Sequence, residues 1–225
     1  MASLATSLIP EYTLSHAWNV TTETTFWCLV GMCAIFIIDI SFASRFKARY
    51  FVCHSIINAC ITLLVLPDTW LLVTDPLASL DRKACSSIPL GLVFAIHFYH
   101  MAGAFIPKKY GGFKLYYVDW LHHILMVVLG CPAIMFAAMG PVVNFNFLFV
   151  CGLPGGIDYY MLVCVKEGSM KPLDEKRINT TLNVWCRCPF LVSTVVLTFI
   201  QMHMHKPPIH IICIRIFCCI INWWK

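Results

Sequence analysis

The chain has 225 residues, 60% of them hydrophobic and 12% charged, with a formal net charge of +5. A soluble globular domain is about 45–50% apolar and about 25% charged. The apolar excess here comes in runs of roughly 20 residues, the length that crosses a bilayer as an α-helix. A soluble fold is therefore excluded. Nucleic-acid binding is also excluded, because the positive charge is spread over loops, as is usual in membrane proteins.

In chain order, residues 1–24 form an N-terminal segment without a basic n-region, so no cleaved signal peptide is expected. Six spans are predicted at about 25–44, 50–73, 88–106, 118–139, 144–165 and 184–203. The fold class is thus all-α, a polytopic transmembrane helical bundle over residues 25–205. Gly130 and Pro132 in the fourth span, and "GLPGG" at 152–156 in the fifth, predict broken or kinked helices that face a cavity. Residues 206–225 form a hydrophobic tail of different texture. They read as a short seventh span, as an interfacial segment anchored by Trp223 and Trp224, or as an aberrant end.

Ten Lys and Arg residues fall in the loops after spans one, three and five. They are Arg45, Lys47 and Arg49; Lys108, Lys109 and Lys114; and Lys166, Lys171, Lys176 and Arg177. The positive-inside bias makes these loops cytosolic and the N-terminal segment non-cytosolic. The sequon Asn19-Val20-Thr21 then lies on the glycosylation-competent side, and Asn179-Thr180-Thr181 on the inert side. The basic loop residues read as positive-inside anchors first and as contacts to anionic lipid or phosphate second. Thirteen cysteines, mostly inside apolar runs, read as small hydrophobes, and the lone CxC at Cys186–Cys188 is a weak metal signal.

Ionisable groups inside the membrane carry the information, since an Asp at a helix centre costs about 2.5–3.5 kcal/mol on insertion scales. In "YVDWLHHILMV", Asp119, His122 and His123 stand at i, i+3 and i+4 on one helix face. A carboxylate one turn from an imidazole accepts its N–H and raises the basicity of the other ring nitrogen. Such a pair suits proton abstraction or acyl transfer; the structural alternative is Asp119 capping the helix while the histidines bond to neighbouring helices. His97 and His100 in "HFYH", and His54 with Asn58, repeat the pattern in spans three and two. Asp158 and Arg187 complete the set of candidates for the cavity lining, and each reads equally well as an interhelical hydrogen bond. Asp39 reads equally well as an interhelical hydrogen bond, and Asp68 and Asp75 as solvated or capping groups at a span end.

"RYFVCHSIINACITLLVLPD", "TDP", "HFYH", "DWLHHILMVVLG", "GLPGGIDYYMLVCVK" and "EKRINTTLNVWCRCP" together resemble the TLC domain. This is the membrane domain of ceramide synthases and translocation-associated membrane proteins. The resemblance covers about residues 25–203. It implies a six-helix barrel around a lipid-sized cavity in the endoplasmic reticulum or a related membrane. In ceramide synthases a histidine pair, matched by His122 and His123, and a paired-aspartate motif line the acyl-transfer site. This sequence keeps Asp158 but has Gly155 three residues earlier, where the partner aspartate is expected.

That departure favours a lipid-handling or lipid-sensing protein acting on membrane lipids. The second reading is an acyl-CoA-dependent N-acyltransferase acting on a sphingoid base, with His122 or His123 as base or nucleophile and Asp119 orienting. A di-iron hydroxylase ranks third. It needs about eight clustered histidines, and of the nine here His16, His203, His205 and His210 lie at the ends. No cofactor and no metal ligand is assigned on sequence grounds.

Overall fold

In lipid every backbone N–H and C=O must be satisfied within its own segment, so apolar runs of this length fold as helices. The computed structural model describes residues 14–222 except 83, 108–111, 113 and 138. The described residues are helical with short connections. The helices are α1 (Leu14–Ser41), α2 (Arg49–Thr74), α3 (Pro76–Asp81), α4 (Ile88–Ala104), α5 (Tyr117–Ala137), α6 (Pro141–Glu167), α7 (Pro172–His205) and α8 (Ile209–Asn222). Five of them, α1, α2, α5, α6 and α7, are long and apolar enough to cross a membrane, which marks a multi-pass membrane protein. Helix α4 is apolar over 17 residues, and the 14 residues of α8 rise about 21 Å, short of a bilayer core. Lys108, Lys109, Trp223 and Trp224 lie outside the described residues.

The polarity is that of a membrane bundle. Leu63 and Trp70 on α2 and Val196 and Phe199 on α7 point outward, while His54, Asn58, His97, His100, Asn144, Asn146 and Gln201 are buried. Helix α1 runs along α4, and α2 packs between α4 and α6. The α1–α4 crossing is close because of its glycines: a Cβ on Gly91 would stand 2.5 Å from Trp27 Cβ, and one on Gly31 2.8 Å from Ala95 Cβ. Asp39 of α1, fully buried, pairs with Arg49 and accepts a hydrogen bond from the Tyr99 hydroxyl, so one carboxylate joins α1, α2 and α4. Asp75 caps α3 by accepting from Ala78 N at 3.1 Å. Asp68 is held across the bundle, accepting from Asn144 Nδ2 at 2.6 Å. None of the thirteen cysteines, all among the described residues, is in a disulfide.

Several sequence expectations are corrected. Of the broken or kinked helices expected around Gly130–Pro132 and "GLPGG", the break is overturned: each helix is continuous and carries a wide π turn, at Leu125–Gly130 and Leu148–Gly152, a recognised site of kinking. A third π turn, Asn183–Arg187, lies in α7. Each ends two residues before a proline, namely Pro132, Pro154 and Pro189. A proline ring crowds the carbonyl one turn back and supplies no N–H. The residue ahead of each proline therefore donates five residues back: Cys131 to Met126, Leu153 to Leu148 and Cys188 to Asn183. Helix α7 starts at Pro172 rather than near Val184, because the polar "PLDEKRINTTL" continues the helix beyond its apolar part. The connection from α6 is then a short turn, with Gly168 left-handed at φ 85°. Asn19 and Asn179, the two sequon asparagines, both lie within helices rather than loops.

A candidate histidine chamber

The five intramembrane histidines gather at one end of the bundle. His54 is in the second turn of α2, His97 and His100 are in the last turns of α4, and His122 and His123 are in the second turn of α5. That is the end that carries the loops with Arg45, Lys47 and Lys114 and the α6–α7 turn. Eight of the nine residues singled out from the sequence, His54, Asn58, His97, Asp119, His122, His123, Asp158 and Arg187, line one cavity of about 350 Å³. The ninth, His100, is fully buried behind it, its ring 4.2 Å from that of His54 and 5.8 Å from that of His123.

Backbone contacts set the tautomers. A carbonyl only accepts, so the 2.6 Å contact from His97 Nδ1 to Val93 O is an N–H donation, and the lone pair of neutral His97 sits on Nε2. His97 Nε2 lies 3.3 Å from His122 Nε2. His122 therefore donates from Nε2, and its own lone pair is on Nδ1. His123 Nδ1 likewise donates to Asp119 O at 2.6 Å, which leaves the lone pair on a buried Nε2. The sequence expectation that the Asp119 carboxylate accepts from an imidazole is corrected here. Asp119 is the third residue of α5, and its Oδ2 accepts from Tyr116 N at 2.8 Å as a helix cap. Its backbone carbonyl, one turn below His123, does the orienting.

Gly155 is also explained. A Cβ there would meet Asn58 Nδ2 at 3.0 Å, so the Asn58 amide fills the space in which a side chain on α6 would start. Two residues that sequence reasoning missed are Tyr50 and Tyr159. Tyr159 stacks on His54 at 4.1 Å with 8° between the ring planes, and Tyr50 covers His100 at 3.8 Å. Tyr50 stands one turn before His54 and Tyr159 follows Asp158; the first spacing is a visible signal, but an aromatic in an apolar run does not announce itself. Buried Glu175 of α7, in the polar first turns, was likewise unforeseen. Cys186 and Cys188 take no part in the histidine cluster.

Beside the chamber lies a second cavity of about 640 Å³ that shares Tyr50 and Asp119 with it and is rimmed by Lys47, Arg49, Lys114 and Lys166. A basic vestibule therefore opens next to a histidine-lined interior. No protein-family model, no curated protein and no solved structure matches the chain.

Proposed function

We propose that this chain is a multi-pass membrane protein of TLC type that handles or senses membrane lipids, with the chamber receiving a lipid head group. One observation carries the reading: an apolar bundle holds a histidine-lined cavity of about 350 Å³, within the range of roughly 300–1,000 Å³ of small-ligand sites. Intramembrane ionisable groups are retained where they face such a cavity. The basic vestibule supports an anionic lipid head as the group that enters. In this reading α4 is the sixth span, surrounded by α1, α2 and α5, and α8 is not a seventh. The compartment is the endoplasmic reticulum or a related endomembrane.

A second reading, acyl transfer from acyl-CoA to a sphingoid amine, is favoured by the tautomer order. His97 fixes His122 with its lone pair on Nδ1, a group able to accept the amine proton as the amine adds to the thioester. The C–N bond forms, the C–S bond breaks, and the proton passes to the leaving thiolate. Gly155 in place of a second aspartate weighs against it.

The test has two arms. Lipid mass spectrometry compares cells with and without the chain, and microsomes receive labelled sphingoid base and acyl-CoA. A change in lipid composition without labelled amide product is the expected result; labelled product selects acyl transfer. His122→Asn with His123→Gln should leave insertion intact and abolish the lipid change, since amides hydrogen-bond but do not titrate near neutral pH. An unchanged lipid profile in the first arm, or a fully active double variant at matched expression, overturns the assignment of the chamber.

A further inference from the structure

His54, His100 and His123 come from three helices, and all are buried. One ring nitrogen from each lies within 4.8 Å of the other two. Three imidazoles that only packed together would point their nitrogens at separate partners. His54 Nε2 is instead enclosed without a hydrogen-bond partner, on a side chain 4% exposed. His123 meets a further condition of a metal ligand: its Nδ1–H is held by a backbone carbonyl, which fixes the tautomer and presents Nε2 as the donor atom.

We propose that His54, His100 and His123 form a site for a single divalent transition-metal ion of the zinc class, set in the wall of the chamber. Neutral imidazoles select zinc, copper, iron or nickel over magnesium and calcium, which prefer oxygen. Three nitrogens at about 2.0–2.1 Å from a tetrahedral zinc stand roughly 3.3 Å apart, so side-chain rotations that close each pair by at most about 1.5 Å complete the site. Three protein ligands leave a fourth position for water or a ligand oxygen, the pattern of open rather than structural zinc sites. His54 and His123 also line the chamber, so the site borders that cavity. The inference does not depend on the lipid reading, because it concerns the trio itself.

The experiment uses the full chain purified in detergent, stripped with chelator and reloaded with Zn²⁺ or Co²⁺. Elemental analysis after desalting should give about one ion per chain. X-ray absorption at the zinc edge should show three imidazole nitrogens at about 2.0–2.1 Å. Co²⁺ should give the intense visible bands of a tetrahedral site. His54→Ala and His123→Ala should each weaken Zn²⁺ binding by at least about 100-fold, more than loss of an outer-shell partner does. His203→Asn with His210→Asn, both exposed and outside the trio, should leave stoichiometry unchanged. Wild-type protein that retains no ion after loading overturns the proposal, as does an absorption spectrum without three imidazoles. Neither readout needs a variant that folds. Unchanged binding in both alanine variants overturns it equally.

Discussion

Replacing Asp39 with Asn tests whether the basic end of the bundle is assembled by one ion pair. Asp39 is fully buried and accepts from Arg49 and from the Tyr99 hydroxyl, so α1, α2 and α4 share it. Breaking a buried pair by removing one charge costs about 3–5 kcal/mol, because the other charge is left uncompensated. The Arg49 side chain is 27% exposed and can regain some hydration, which lowers the expectation to about 2–3 kcal/mol. At roughly 2–4 °C per kcal/mol for a chain of this size, the midpoint of thermal unfolding in detergent should fall by about 5–10 °C. Asp39→Leu combined with Arg49→Met removes both charges and should recover most of the loss, since an apolar pair of similar volume replaces a buried ion pair at little cost. The positional consequence is specific. Arg49 begins α2, whose first two turns carry Tyr50 and His54, so Asp39→Asn should also loosen the chamber. A midpoint within about 1 °C of wild type for Asp39→Asn would show that the pair contributes nothing net and refute this account of how the chamber is anchored.

Two further outcomes follow from other parts of the molecule. In sealed microsomes, sites in the connections around Lys47, Lys114 and Lys171 should be open to protease from the cytosolic side and an N-terminal tag protected; cleavage of that tag from outside the vesicle reverses the orientation. Gly91→Ala places a Cβ 2.5 Å from Trp27 Cβ and 3.0 Å from its backbone carbonyl carbon. Overpacking of this kind costs about 1–3 kcal/mol, offset by under about 1 kcal/mol of helix propensity. A lowered unfolding midpoint is expected, and a raised one would mean that α1 and α4 are not tightly packed at this crossing.

The long apolar runs announced the helices, because length and apolarity are set by the bilayer itself. The start of α7 was hidden, since a helix that leaves the membrane turns polar without ending. The π turns were hidden for another reason: prolines at 132, 154 and 189 signal a disturbed ladder, but whether the helix breaks or widens depends on what packs beside it. At the site, i, i+3 and i+4 spacing placed His122 and His123, His97 and His100, and His54 and Asn58 on common faces. Spacing within a helix says nothing of which faces meet. The grouping of His54 with His100 and His123, rather than His97 with His100 or His122 with His123, is a tertiary fact. Asp119 shows this most plainly: the same position serves a cap or an imidazole, and the N–H of Tyr116 at the helix start takes the carboxylate as a cap.

The buried polar atoms divide by position as well as by partner. Gln201 donates to Leu80 O at 3.0 Å and to Met139 O at 3.2 Å, and Asn144 to Asp68, so these amides tie the bundle together even though their own carbonyl oxygens accept nothing. An amide with its NH2 engaged has met most of its desolvation cost. His54 Nε2, Asp158 Oδ1 and Arg187 Nε are also buried without hydrogen-bond partners, and all three residues line the one chamber. Each such atom costs about 1–3 kcal/mol in a folded chain, so three converging on one cavity are a standing expense in stability. A bundle selected for packing alone would place Leu or Phe there at lower free energy. The same atoms are a donor, an acceptor and a metal-competent nitrogen buried in the wall of a space of ligand size. In the proposed readings, a head group or ion that satisfied them would recover that free energy as affinity.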